Sequence, residues 1–205
     1  MDDPTILEVT TFNINSTVNP IEFAQRDVRV ESDFTSQQPG FIKRQSGVND
    51  QGEYVVLVYW KSAANADASM NKFMGDASVA DYAQMIDAST MKMARYAIDT
   101  SFKAGDSGFV EVMSFDVKPE TDLVAFHALN QKVETDFTSK REGFLQRLMG
   151  KNESGQQLVA VYWADKATSD AALKPFMAAP IAKEFMQHMD QASIHMGRYE
   201  LLNKK

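Results

Sequence analysis

The chain has 205 residues, 44% of them hydrophobic and 24% charged, with a net charge of −7, and these are ordinary values for a folded globular protein. An acidic balance with no run of Lys or Arg excludes the concentrated basic surface that nucleic acid or an anionic membrane requires of a partner. Cysteine is absent, which removes disulfides, thiolate chemistry and Cys-ligated metals; the opening M-D-D-P-T lacks the apolar stretch of a secretory signal, and no apolar run approaches the roughly 20 residues of a membrane helix, so a soluble, cytoplasmic protein is expected.

Taken in order, Leu7–Ile14 alternates loosely and is rich in β-formers, which reads as a strand. Asn19-Pro20 opens a helix, because proline is tolerated in a first turn whose N–H groups are unpaired anyway. Phe23, Val30 and Phe34, spaced by 7 and 4, form one helical face. Q-P-G ends that helix, Phe41–Ser46 reads as a second strand and Gly47–Gly52 as a turn. Tyr54–Trp60, Y-V-V-L-V-Y-W, is the most apolar run of the first half and the third strand. Ser62 can cap a second helix by accepting a free N–H. That helical segment runs to about Met74, breaks at Gly75-Asp76, and resumes to about Asp87. A last strand covers about Thr90–Ile98.

The same order returns. Trp60 and Trp163 are the only tryptophans, 103 residues apart, and at that offset Ile6–Ile98 aligns without a gap onto Phe109–Leu201 with about 30 identities in about 93 positions. Glu8-Val9 matches Glu111-Val112, Asp33–Ser36 matches Asp136–Ser139, Val58–Trp60 matches Val161–Trp163, and Arg95-Tyr96 matches Arg198-Tyr199. A period this long is outside the range of about 20–50 residues for solenoids, so each half is a domain-sized unit: 1–98 and 108–205, joined by a polar linker at 99–107. The order within each is β-α-β-β-α-β, the ferredoxin-like unit. The third strand is apolar on both faces, with Val55, Leu57 and Tyr59 on one and Tyr54, Val56, Val58 and Trp60 on the other. A sheet with helices on one side and water on the other would alternate, so the second face needs a cover. Two four-stranded sheets face to face would make a closed α+β barrel with helices outside.

A β-α-β-β-α-β unit whose third strand ends in Trp, followed by Ser62 or Asp165 and then a helix with a small-Pro step at Ala179-Pro180, resembles the antibiotic biosynthesis monooxygenase superfamily. The resemblance covers nearly the whole chain. It implies a dimeric α+β barrel, here made within one chain by two fused units. It also implies oxidation of polyphenolic or quinol substrates by molecular oxygen with no metal or flavin, as in some members, whereas others degrade haem. The haem-degrading members use an Asn on the first strand, a Trp on the second helix and a His about ten residues further on. These fall near Val9 or Val112, Phe73 or Phe176, and Ala83 or Met186, none of which is the required type.

The candidate site residues follow from these positions. Trp60 and Trp163, with Phe73 and Phe176, are either a pocket wall or core. Tyr59 and Tyr162 lie on the opposite strand face and either donate a proton to a quinone oxygen or hydrogen-bond inside the barrel. Arg44 and Arg147 on the second strand, with Arg95 and Arg198 on the last, suit an anionic or phenolate ligand; a salt bridge to Asp33/Asp136, Asp87/Asp190 or Glu8/Glu111 is the structural alternative. His127, His188 and His195 all lie in the second half. His188 is the candidate general base, against a plain surface role. The spacings match no compact metal motif, and neither a phosphate loop nor Gly-x-Ser-x-Gly occurs. Two functional expectations result. One is a cofactor-independent monooxygenase acting on a small aromatic or quinol stacked on Trp163, with His188 or Tyr162 handling protons. The other is a non-catalytic small-ligand-binding or structural barrel whose pockets are filled by Phe and Met.

Overall fold

The computed structural model describes residues 5–202; residues 1–4 of the acidic N-terminal stretch lie outside them. The first unit runs β1 (Thr5–Ile14), α1 (Pro20–Asp33), β2 (Phe41–Val48), β3 (Tyr54–Trp60), α2 (Ala63–Phe73), α3 (Ala80–Met85) and β4 (Ile86–Ile98). The second runs β5 (Phe109–Phe115), α4 (Leu123–Lys132), β6 (Phe144–Lys151), β7 (Gln157–Trp163), α5 (Lys166–Ala178), α6 (Pro180–Gln187) and β8 (His195–Leu201). By contacts, one compact unit takes residues 5–101 with Leu201 and Leu202, and the other takes 102–200. The eight strands form a closed barrel in the order β1-β3-β2-β8-β5-β7-β6-β4, the α+β barrel expected of two β-α-β-β-α-β units.

The local chemistry explains the boundaries. Asn19 Oδ1 accepts the Ile21 N–H at 2.8 Å and Pro20 occupies the first turn of α1. Ser62 caps α2 through the Asn65 N–H, and Asp165 caps α5 through the Thr168 N–H at 2.8 Å, with the Thr168 hydroxyl closing a reciprocal capping box, so orphan N–H groups find partners. Gly40 and Gly143 each sit just before the second strand of their unit with φ of +76° and +73°, and a Cβ there would lie 2.2 Å from Asn65 and 2.4 Å from Thr168. Only glycine takes that backbone conformation without strain and leaves that space. In the second unit Ala179 is extended between α5 and α6, the conformation favoured before a proline. The wider turn Val133–Phe137 extends α4.

Each unit buries one core between its sheet and its helices. Phe23, Val30 and Phe34 of the predicted helical face are buried in the first, joined by Phe12, Val58 and Trp60. Phe126 and Val133, with Phe115, Val161, Trp163 and Phe185, form the core of the second. All seven residues of β3 and all seven of β7 are buried, which accounts for strands apolar on both faces.

The last strands differ from expectation. α3 ends at Met85, and β4 begins at Ile86, where the pattern predicts helix to about Asp87. Ile86 and Asp87 pair with Ile14 and Asn13 beyond a register shift between Thr11 and Asn13, where the extra residues are on β4, and Thr90 Oγ1 accepts the Asn13 N–H at 2.8 Å. In the second unit Asp190 caps a short turn, Gln191–Ser193, and β8 starts only at His195.

Candidate functional site

Strand register lines up the chemistry. In the second unit Glu111 on β5 pairs with Val161 on β7, and Val161 pairs with Arg147 on β6; on the other side Glu111 pairs with Arg198 on β8. Arg198, Glu111, Val161 and Arg147 therefore form one row across four strands. Two-residue periodicity places Val159 and Trp163 on the same face as Val161. Helices α5 and α6 and the turn ending in Phe137 cover that face and leave a cavity of about 230 Å³. Trp163, Phe137, Phe176 and Phe185 supply its aromatic walls. Glu111 and Arg147 are the charged residues that line it, with Thr138 and Ser169 as the hydroxyls.

Glu111 is fixed from two sides. Its Oε1 accepts from Ser169 Oγ at 2.6 Å and from Arg198 Nε at 3.1 Å, and Arg198 bridges onward to Asp170 at 2.8 Å. Arg147 is 6% exposed. Its Nη1 donates to the backbone oxygen of Asn130 at 3.3 Å, and its guanidinium lies 5.4 Å from the centre of the Phe185 ring. The indole N–H of Trp163 and the side-chain oxygen of Asn130 are buried and make no hydrogen bond.

The first unit carries the same row, Arg95–Glu8–Val58–Arg44, but fills the space above it. Its cavity is about 130 Å³. Arg44 and Asp27 are both buried, and Arg44 Nη2 meets Asp27 Oδ1 at 2.6 Å. Tyr82 donates its hydroxyl to Asp27 Oδ1 at 3.0 Å, and Ser46 Oγ donates to Oδ2. Burial, the largest single effect, lowers the pKa of Arg44, but the charge of Asp27 and its hydrogen bond, together with Tyr82 and Glu31, outweigh it and hold the guanidinium above its ordinary range. Burial first, then the Asp27 charge, pushes the Tyr82 hydroxyl well above 10, so it stays a donor. Burial also raises Glu8, against the opposing effect of Arg95, which donates to Glu8 Oε2 at 2.6 Å.

Of the predicted site residues, the structure gathers Trp163, Phe176 and Arg147 around one cavity and Trp60, Phe73 and Arg44 around the other. Tyr162 and His188 line neither. Tyr162 is fully buried and makes an edge contact with Phe102. His188 lies just past the end of α6, its Nδ1 3.3 Å from Thr121 Oγ1 and its ring 5.9 Å from Phe126. His195 is exposed on β8 and His127 is half-buried on α4. Of the positions aligned with the haem-degrading set, Phe73, Phe176 and Met186 line cavities, and on β1 and β5 the lining residues next to Val9 are Glu8 and Thr10 and those next to Val112 are Glu111 and Met113. Arg95 bridges to Glu8 and Arg198 to Glu111, one of the three alternative partner pairs named for the arginines. Arg44 pairs instead with Asp27, and Asp33 pairs with Arg26. The sequence reading passed over Asp27, Ser46 and Tyr82, although the offset of 103 sets them against Asn130, Met149 and Phe185.

A β-α-β-β-α-β unit used twice, an eight-stranded closed barrel and a helix-covered cavity behind the third-strand Trp can be compared with solved structures. The chain has the dimeric α+β barrel fold. It is similar to a proposed monooxygenase from Fusobacterium nucleatum subsp. nucleatum (TM-score 0.71, 15% identity, covering 100% of this chain and 94% of that one). It is similar to an anthrone oxidase-like protein (TM-score 0.67, 12% identity, 98% and 93% covered). It is also similar to the chlorite dismutase of Candidatus Nitrospira defluvii (TM-score 0.65, 9% identity, 99% and 94% covered). No protein-family profile matches the chain, and no curated protein sequence matches it. Among the described residues, no helix is long and apolar enough to cross a membrane.

Proposed function

We propose that the second unit binds a small aromatic compound in the Trp163 cavity and that the protein oxidises it with molecular oxygen, as a monooxygenase. The observation that carries this reading is the cavity itself. At about 230 Å³ it exceeds the roughly 150 Å³ that suffices to hold a benzene molecule in an apolar protein interior. Its walls are aromatic and aliphatic, with a few polar groups set on rigid strands, which is the usual composition of a small-molecule site. The first cavity, at about 130 Å³, falls below that size and is braced by its own ion pair, so the first unit serves as scaffold. The proposed monooxygenase and the anthrone oxidase-like protein among the similar structures support the reaction class.

For an anthrone-type substrate the balance is simple. A ring CH₂ becomes C=O, one oxygen atom of O₂ enters the product, and the other leaves as water with the two displaced hydrogens. The protein contributes a dry, shaped pocket and fixed polar groups. Tyr162 and His188 lie outside its lining, so Glu111 takes the proton-handling place expected of them: an arginine accepts no proton, and Glu111 is the carboxylate that lines the cavity. The test is oxygen uptake with anthrone, run on the wild type and on Leu173→Trp, which blocks the mouth of the cavity at a residue 40% exposed. Uptake above the buffer rate that disappears in Leu173→Trp, with the melting temperature kept, supports the reading. A thermal shift with anthrone and no uptake selects the second reading, a non-catalytic binding protein, which the absence of His and Tyr from the described lining favours. No shift and no uptake overturns both.

A further inference from the structure

We infer that the first unit binds a soft monovalent metal ion, of the cuprous copper class, through the thioethers of Met70, Met74, Met91 and Met93 at the mouth of its cavity. The site is separate from the aromatic cavity of the second unit and stands or falls without it.

The sequence concentrates these side chains. They are four of the five methionines among the described residues of the first unit, placed as Met-x-x-x-Met and Met-x-Met. Met70 lies in α2, and Met74 ends it in helical conformation with its N–H 3.4 Å from the Met70 oxygen. Residues four apart on a helix are neighbours on one face. Met91 and Met93 lie on β4, where residues two apart share a face. All four line the cavity of about 130 Å³, so a helical pair and a strand pair meet at one opening. They form its solvent side: Met74 is 80% exposed, Met91 and Met93 are 45% exposed each, and Met70 is half-buried.

That exposure needs a cause. Methionine is among the residues most often buried, and filling a gap in a core does not account for three side chains facing water. What the four share is a thioether sulfur, a soft and polarizable donor on a flexible stem. Soft sulfur ligands select Cu(I), whereas the hard divalent ions take oxygen. The cavity offers those ions little: its carboxylate is Glu8, bridged to Arg95 at 2.6 Å, and its other charged residue, Arg44, pairs with Asp27. The second unit is the internal control. Met74 and Met93 recur there as Met177 and Met196, but Leu173 and Ile194 stand in place of Met70 and Met91, so neither pair is complete. Its other lining methionines, Met113 on β5 and Met186 and Met189 on and after α6, are spread around a larger cavity.

The test titrates the whole protein calorimetrically with silver nitrate in chloride-free buffer, silver standing in for cuprous copper because it does not oxidise in air, and then with Cu(I) under nitrogen. A single ion is expected to bind. A thioether has no proton to lose, unlike the other metal-binding side chains, so the affinity is expected to be the same at about pH 8 and about pH 6, across which histidine titrates. Leucine keeps the bulk of methionine and removes the sulfur. Met70→Leu, Met74→Leu, Met91→Leu and Met93→Leu should each weaken binding by more than the roughly 10–100-fold that a residue outside the ligand set is worth, with metal-free melting temperatures at the wild-type level. The four variants are independent tests, so one that fails to fold leaves three. Met177→Leu combined with Met196→Leu should leave binding unchanged. Binding of neither ion overturns the site. So does binding that survives removal of all four sulfurs, that is lost in the second-unit variant, or that weakens toward pH 6. None of these outcomes bears on oxygen uptake in the second unit.

Discussion

The two units set the same row of side chains under their helices, Arg95–Glu8–Val58–Arg44 in one and Arg198–Glu111–Val161–Arg147 in the other, and use it differently. The first spends its inner arginine on Asp27, whose carboxylate also accepts from Ser46 and Tyr82, and keeps a cavity of about 130 Å³. The second replaces those three residues with Asn130, Met149 and Phe185 and opens about 230 Å³. The repeated frame thus differs in how it is filled: the first unit closes its interior around a buried ion pair, and the second keeps the larger cavity, the one proposed to bind an aromatic ligand.

The sharpest way to break the comparison is at Asp27. Removing one partner of a buried pair strands the other charge and costs about 3–5 kcal/mol. Asp27→Ala is therefore expected to lower the free energy of unfolding by that amount in urea titrations. The equivalent Asn130→Ala removes a neutral amide whose side-chain oxygen makes no hydrogen bond and costs about 1 kcal/mol or less. Equal losses at the two positions would mean that the units do not divide the roles.

Asp27 also shows what the sequence could and could not say. The fold was legible because apolar periodicity, the caps at Ser62 and Asp165 and the third-strand Trp recur at the offset of 103. Recurrence also placed Glu8 and Glu111 among three alternative partners for the recurring arginines, without choosing between them; the bridges form to Arg95 and Arg198. The same reasoning missed Asp27 because Asp27 does not recur: a search for what two units share discards what distinguishes them, and the two cavities differ there. Alternation along β3 and β7 had already set Tyr59 and Tyr162 on the face opposite Trp60 and Trp163. Tyr162 remained a candidate from its chemistry alone, and its side chain lies outside the cavity lining.

Cavity size gives the second test. Ser69 and Ala172 are equivalent positions, each facing its own cavity. Ser69→Leu forces extra methylenes into the smaller space and is expected to cost about 1–3 kcal/mol. Ala172→Leu has room and is expected to cost less than about 1 kcal/mol, while weakening any aromatic ligand. Chemical denaturation of both variants, with and without 2-naphthol, reads the two effects together.

A smaller difference is expected from Glu8. Burial holds its pKa above 4.5 in the folded protein, so the native state binds the proton more tightly than the unfolded chain. The stability this provides is fully present below about pH 4.5 and is lost as pH rises through the folded value. The unfolding free energy of the wild type relative to Glu8→Gln should therefore be greatest near pH 4 and decline above it. A relative stability that rises with pH across this window would show that the Arg95 bridge, rather than burial, sets the carboxyl.

The smallest effect is expected at His188, the residue that chemistry alone nominates as a base. The apolar pattern of the preceding helix fixes which face is buried, but it does not fix where a helix of eight residues stops. α6 stops at Gln187, which leaves the imidazole beside Thr121 and Phe126 and leaves the cavity to its neighbours Phe185, Met186 and Met189. His188→Ala should change stability by about 0.5 kcal/mol or less, as for a surface position with one weak polar contact, and should leave both ligand affinity and oxygen uptake at the wild-type level. Loss of uptake with unchanged affinity and melting temperature would return the proton-transfer role from Glu111 to His188, and would require the end of α6 to shift toward the cavity when ligand binds.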